Sequence, residues 1–334
     1  MLSKQTQHPH ESTIFKKREI GSLMPLSRQE LRYRLAAGAL KAFSANRATR
    51  FAYRKLGNVV GGRGRANGID PSYIGRADAN LRFAEKHGAI ADGMRVMELG
   101  TGWVHWEALF TRLFYDVEIV LFDVWDNRQF AGFRTYVAHL LAQLPTLESR
   151  DGAAREKAII LLRRISECAS FEEIYRLLNW SYVVDVNGRL DAVADKSLDL
   201  VFSSDVMEHI PAGSLPLLAD SLTRVLTPRG HVTQQIVEAD HLVIYSRKMH
   251  SKSYLKFSDK HWRRWLENDV QYTNRWQHSD FARLFRDLDF IIVDEEIVSS
   301  VDTATIEIAP RWRDYDKADL DATVTRLLVR RPRE

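Results

Sequence analysis

The chain has 334 residues, 48 of them Lys or Arg and 44 Asp or Glu, with 45% apolar and 28% charged residues and a formal net charge of +4. This is the composition of an ordinary globular protein and excludes a disordered or collagen-like chain; a lone cysteine, Cys168, excludes an internal disulfide and a cysteine-rich zinc site. No run approaches the roughly 18 uncharged apolar residues of a membrane span, and the N-terminus lacks the apolar core of a secretory signal, so a cytoplasmic protein is expected.

Residues 1–26 are polar, basic and aperiodic, and are expected to form a mobile arm. They open a segment that explains the isoelectric point of about 9.1. The first 65 residues hold 14 basic and three acidic side chains, which leaves 34 basic and 41 acidic residues in a mildly acidic body. Ser27 and Glu30 form a capping-box pattern that starts a helix running to about Leu56, with Leu31, Leu35, Ala39, Leu40 and Phe43 at helical spacing. Gly57, Gly61, Gly62, Gly64 and Gly68 predict a loop that ends it. Asp70-Pro71 starts a second helix to about His87. Residues 27–92 thus read as a helical cap.

From residue 93 onward strands and helices alternate. Strands are predicted at 95–99, 117–122, 182–184, 198–202 and 231–236, and late strands at 290–293 and 323–330. Helices are predicted at 103–114, 127–143, 151–178, 213–226 and, capped by Ser279, to about Leu288. The order argues for an α/β fold with a doubly wound, mostly parallel sheet over 93–334. Residues 127–178 form a helical insertion between its second and third strands.

Glu98-Leu-Gly100-Thr-Gly102 sits at a strand-to-helix turn, where glycine lets the backbone approach a ligand. His105 stands where a dinucleotide fingerprint needs its third glycine, and no Walker phosphate loop is present. Asp123 ends the second strand 21 residues after Gly102, where a carboxylate can accept both ribose hydroxyls of an adenosine. Glu98 is awkward beside a pyrophosphate but suits a ligand with a cationic end.

Five motifs in order resemble the class I S-adenosylmethionine-dependent methyltransferases: Val96–Gly102, Val120–Asp123, Asp195–Ser204, Val206–Pro211 and Leu222–Gly230. The resemblance covers about residues 93–237. It implies a Rossmann-like, seven-stranded sheet whose last strand, 323–330, runs antiparallel, and S-adenosylmethionine as cofactor. Carried over by position, Gly100, Thr101 and Gly102 approach the methionine part and Glu98 its amino group. Asp123 holds the ribose with Val124 beside it, Asp185 or Asn187 meets the adenine, and Ser203 and Ser204 lie by the sulfonium. Val104 departs from the pattern at the usual third glycine, and Arg229 stands where glycine or lysine is common.

A base is needed only if the methyl acceptor must lose a proton. His209, Asp240 and His241 are the candidates, because they follow strands four and five; packing at a helix start is the competing role for His209. The insertion offers Phe171, Tyr175, Asn179 and Trp180, whose aromatic faces can hold a sulfonium, with core packing the favoured role of Phe171 and Trp180. Tyr175 and Asn179, one turn apart, are expected to face the pocket together. Arg275 in Tyr272–Trp276 can meet a carboxylate or fix its loop. No cluster has metal-ligand spacing, so no metal is expected.

The leading expectation is O- or N-methylation of a small molecule. The first alternative keeps the cofactor and cyclises its methionine part to azetidine-2-carboxylate, releasing methylthioadenosine. The second is an RNA methyltransferase or RNA-binding protein, suggested by the basic arm and Gly61-Gly-Arg-Gly-Arg65, but no RNA module is recognisable. A homodimer through the N-terminal helices is a further expectation.

Overall fold

The computed structural model describes residues 27–332, so the expected N-terminal arm lies outside the described residues. The chain begins with α1 (Arg28–Phe43), α2 (Arg47–Asn67) and α3 (Ser72–Lys86). There follow β1 (Arg95–Leu99), α4 (Trp106–Phe114), β2 (Glu118–Asp123), α5 (Phe130–Gln143), α6 (Gly152–Ser166), α7 (Phe171–Leu178) and β3 (Trp180–Val184). The second half contains β4 (Leu198–Ser204), α8 (Leu215–Val225), β5 (Leu226–Val237), α9 (Asp259–Trp265), α10 (His278–Arg286), β6 (Ile291–Ser300), α11 (Lys317–Asp321) and β7 (Ala322–Arg330).

The seven strands lie in the order β3-β2-β1-β4-β5-β7-β6. The first five are parallel, and β7 runs antiparallel between β5 and β6, as the resemblance implied. Val96, Met97 and Leu99 of β1 are all buried, the near-continuous apolar run of a strand covered on both faces. One apolar layer packs α3 to α7 on the sheet through Leu109, Phe110, Phe133, Tyr136, Leu162 and Ile174. The other packs α8 and α10 through Leu218, Leu222, Phe281 and Phe285. Strand order reverses between β2 and β4, on either side of β1, so a ligand crevice is expected at the carboxyl ends of these strands.

Three elements differ from expectation. The glycine-rich stretch is not a loop: it lies inside α2, after a break at Ser44–Asn46. Asn46 caps this second helix by accepting from the Thr49 amide at 3.0 Å. Tertiary contact overrides the poor helix propensity of glycine. A side chain at Gly62 would press on Gln129 at 3.3 Å, and Arg65 donates to Gln129 Oε1 at 2.7 Å, so glycine lets α2 lie close to the segment after β2. The predicted 151–178 helix breaks into α6 and α7, with Ser170 capping α7 through the Glu173 amide. Gln277, not Ser279, caps α10, because the Ser279 hydroxyl is spent on Asp319.

Candidate functional site

The turn after β1 is built by two left-handed glycines. Gly100 has φ +75° and Gly102 φ +63°, conformations that strain any L side chain. The Gly100 and Thr101 amides donate to the Phe122 carbonyl at 2.8 and 3.0 Å, locking the turn onto β2. A Cβ on Gly100 would stand 2.5 Å from Val206 Cγ2, whereas one on Gly102 would meet nothing nearer than the Gly100 carbonyl at 3.9 Å. The Gly102 amide donates to Asp123 Oδ2 at 2.9 Å, and the Trp125 amide to Oδ1 at 3.1 Å. Burial raises the Asp123 carboxyl above its ordinary value, against these amides. A carboxylate has about four lone-pair directions, so two are left for hydroxyls. The open glycine turn and this half-used carboxylate fit the adenosine part of the expected cofactor. Val124 is exposed beside Asp123. Asp185 turns on its own loop, accepting from the Asn187 amide at 2.9 Å, and Asn187 is exposed.

Glu98 is expected at the methionine end of the crevice. It is buried, accepts from the Thr101 hydroxyl at 2.6 Å and from the Glu107 amide at 3.2 Å, and so pins the start of α4. Burial and the neighbouring Glu107 push its carboxyl well above the usual range. Thr101, also buried, continues to His105 Nδ1 at 2.6 Å, and His105 Nε2 meets the Tyr175 hydroxyl at 2.8 Å. A continuous buried line thus runs Glu98–Thr101–His105–Tyr175. With the Thr101 hydroxyl donating to Glu98, His105 donates from Nδ1 to Thr101, and the Tyr175 hydroxyl donates to Nε2.

A cation already lies over Tyr182 of β3 and beside two aromatic residues of the insertion. Arg128 lies 4.4 Å from the Tyr182 ring centre, 5.7 Å from Phe171 and 5.9 Å from Tyr175, and Asp126 grips it through two hydrogen bonds of 2.9 and 2.8 Å. The faces of Phe171 and Tyr175 offered to a sulfonium thus already have the Arg128 guanidinium beside them. Asn179 is not a pocket partner of Tyr175: it ends α7 at φ +56°, exposed, with its amide bonded to the Tyr175 carbonyl. Phe171 and Trp180 are buried in the core, as expected. Ser203 is also buried, its hydroxyl donating to Gln234, whereas half-buried Ser204 accepts from Asn80 at 2.9 Å.

The ends of β4 and β5 bring together residues distant in sequence. Asp205, at φ +58° just past β4, pairs with Arg76 at 2.6 Å, and Arg76 also holds Glu107 at 2.8 Å. Asp240 is not an available base. It is buried and accepts from Tyr33 of α1 at 2.7 Å and from the Leu242 amide at 3.0 Å. Arg275 fixes its loop by pairing with Asp259 at 2.7 Å and covering Trp262. His209 and His241, by contrast, meet with ring centres 4.8 Å apart. Although His209 keeps an exposed edge, desolvation of the two facing rings lowers both below the ordinary histidine value, His241 to about 4, with His209 adding to its shift. Both imidazoles are therefore neutral at neutral pH. Glu208 joins them: one ligand atom from each of the three lies within 4.8 Å of the others, which corrects the expectation that no ligand cluster exists. Glu208 lay in a motif already noticed, but nothing in the spacing brought His241 to it. Arg76, Arg128 and Asp205 carried no sequence signal.

α2 runs across the mouth of the crevice. Asn58 accepts from the Trp103 indole at 3.1 Å, Arg65 stacks 3.9 Å over Trp103, and Arg54 stacks 4.1 Å over Trp125. No residue of α2 is fully buried; besides these polar and cation–π contacts, half-buried Tyr53 packs on Phe43 and on the apolar cluster around Trp262.

The sequence profile of a family described as a methyltransferase domain matches residues 72–295. A comparison with curated proteins returns no match. Among solved structures, the chain is similar to phosphoethanolamine N-methyltransferase 2 of Haemonchus contortus in complex with S-adenosyl-L-methionine, at 15% identity and a TM-score of 0.44, covering 76% of this chain and 52% of that one. The chain therefore spans about half the length of that protein. It is also similar to an S-adenosylmethionine-dependent methyltransferase of Mesorhizobium loti, at 14% identity and a TM-score of 0.41, covering 72% of this chain and 92% of that one.

Proposed function

The chain belongs to the methyltransferase-domain family, whose methyl donor is S-adenosylmethionine, and we propose that it methylates an oxygen or nitrogen of a small molecule. The observation that carries this reading is the tie between the Gly102 amide and Asp123 at 2.9 Å, which places an open glycine turn and a half-used carboxylate side by side. When bound, S-adenosylmethionine supplies a methyl carbon already activated by positive sulfur. The protein's task is then chiefly orientation. Gly100, Thr101 and Gly102 bound the methionine side of the crevice, and Asp123 accepts from the ribose. Glu98 and Thr101 hold the turn from behind. The acceptor enters beside the ends of β4 and β5, where Asp205, Glu208, His209 and His241 gather. Polynucleotides are disfavoured there, because the body beyond residue 65 carries more acidic than basic side chains.

Methyl-labelled S-adenosylmethionine tests this reading. With a fractionated cell extract as acceptor, the label is expected in the small-molecule fraction. Label recovered in RNA instead would overturn it.

A further inference from the structure

We propose that Glu208, His209 and His241 form a binding site for one divalent metal ion of borderline softness, such as Zn2+ or Co2+, beside the ends of β4 and β5. The three side chains each bring one ligand atom within 4.8 Å of the others. Ligands about 2.1 Å from one ion stand roughly 3–4 Å apart, so small side-chain rotations close the set. Two imidazoles and one carboxylate suit this class of ion; Ca2+ and Mg2+ favour oxygen ligands.

A second observation points to a missing partner. Glu208 is only 3% exposed, yet among the described residues neither carboxylate oxygen has a hydrogen bond of good geometry. An unpaired buried carboxylate is costly, and a cation removes that cost. His241 Nδ1 is likewise buried with no partner of good geometry among the described residues. His209 Nδ1 sits 2.7 Å from the Tyr272 carbonyl, which fixes its proton there and leaves the Nε2 lone pair available. That carbonyl is the outer-shell acceptor a ligating histidine ordinarily has. Asn274 steadies the same turn, with its amide donating to the Glu208 carbonyl at 2.8 Å and its side chain to Met207 and Ile210 at 2.9 and 3.0 Å. His209 is exposed, so an ion reaches the site from solvent. Three protein ligands leave a coordination position open, and an acceptor oxygen can take it. That last role rests on the methyl-transfer reading; the ion site does not.

The full chain, stripped with a chelator, is titrated with Co2+ and followed by visible absorption and calorimetry. One equivalent is expected to bind with a ligand-field band. His209→Ala and His241→Ala are expected to weaken binding at least about tenfold, with Glu208→Gln as the third arm and circular dichroism checking folding. Exposed His209 makes its variant the one expected to fold without difficulty. Absence of stoichiometric binding overturns the site, as does unchanged affinity in the folded His209→Ala and His241→Ala variants. S-adenosylhomocysteine formation is measured separately. Full turnover by metal-free protein overturns the acceptor role alone. No S-adenosylhomocysteine in any state, with Co2+ bound, overturns the methyl-transfer reading and leaves the site standing.

Discussion

Replacing His105 with Asn is expected to flatten the acid limb of the stability curve. His105 is fully buried, and burial foremost, then Arg128, lowers its pKa from the ordinary 6.5 to about 3, against Asp126 and its contact with Thr101. In the unfolded chain the ring protonates near 6.5; in the folded chain it stays neutral until near pH 3. Between those values the unfolded state binds the extra proton. The stabilisation is therefore whole above pH 6.5 and is lost as pH falls toward 3. One pKa unit is about 1.4 kcal/mol, so the loss between pH 7 and pH 5 comes to about 2 kcal/mol. Asn does not titrate and tolerates the φ of +52° found at this position. Urea unfolding of both proteins at pH 7 and pH 5, at constant salt, measures the difference. The native chain is expected to lose about 2 kcal/mol more than His105→Asn over that interval. Parallel losses would mean that the ring charges inside the folded protein, and the argument would be refuted.

Asp123→Asn keeps an acceptor for the Gly102 amide but removes charge from the ribose side, so the Kd for S-adenosylmethionine is expected to rise roughly 10- to 100-fold in calorimetry, about 1.4–2.8 kcal/mol. Gly100→Ala forces a Cβ into Val206 at 2.5 Å and strains a φ of +75°; an unfolding scan is expected to show a cost of about 1–3 kcal/mol, of which Val206→Ala restores only the steric part. Tyr33→Phe strips buried Asp240 of its 2.7 Å donor and is expected to destabilise by about 1–3 kcal/mol in denaturant titration; no change would mean the carboxyl finds another partner. Arg65→Ala removes the stacking over Trp103 that holds α2 across the crevice, and is expected to raise the KM for S-adenosylmethionine several-fold while kcat holds.

The sheet was legible because its strands are short apolar runs set between helices, and the turn because Gly100, Gly102 and Asp123 keep a fixed spacing. Ser27 and Glu30 form the capping box they spell out, with the Glu30 amide donating to the Ser27 hydroxyl at 3.1 Å. What escaped the sequence depends on partners far along the chain. The glycines of α2 look like a loop until Gln129 and Trp103 are seen to hold them in a helix. Asp240 looks like a base until Tyr33 takes its oxygen. Phe171 and Tyr175 look like faces for a sulfonium until Arg128 is seen beside them. Glu98 lies on the right strand, but its orientation is set by the Glu107 amide. His209 and His241 were both singled out as single groups; only folding makes them neighbours.

The fate of S-adenosylmethionine tests the central claim most directly. The full chain is incubated with it alone and with a small-molecule acceptor fraction, and the adenosine products are separated by chromatography. Methyl transfer predicts S-adenosylhomocysteine that appears only when acceptor is present. Methylthioadenosine formed from S-adenosylmethionine alone, above an enzyme-free control, would contradict it; azetidine-2-carboxylate as the co-product would mean that the cofactor's own amine attacks its γ-carbon.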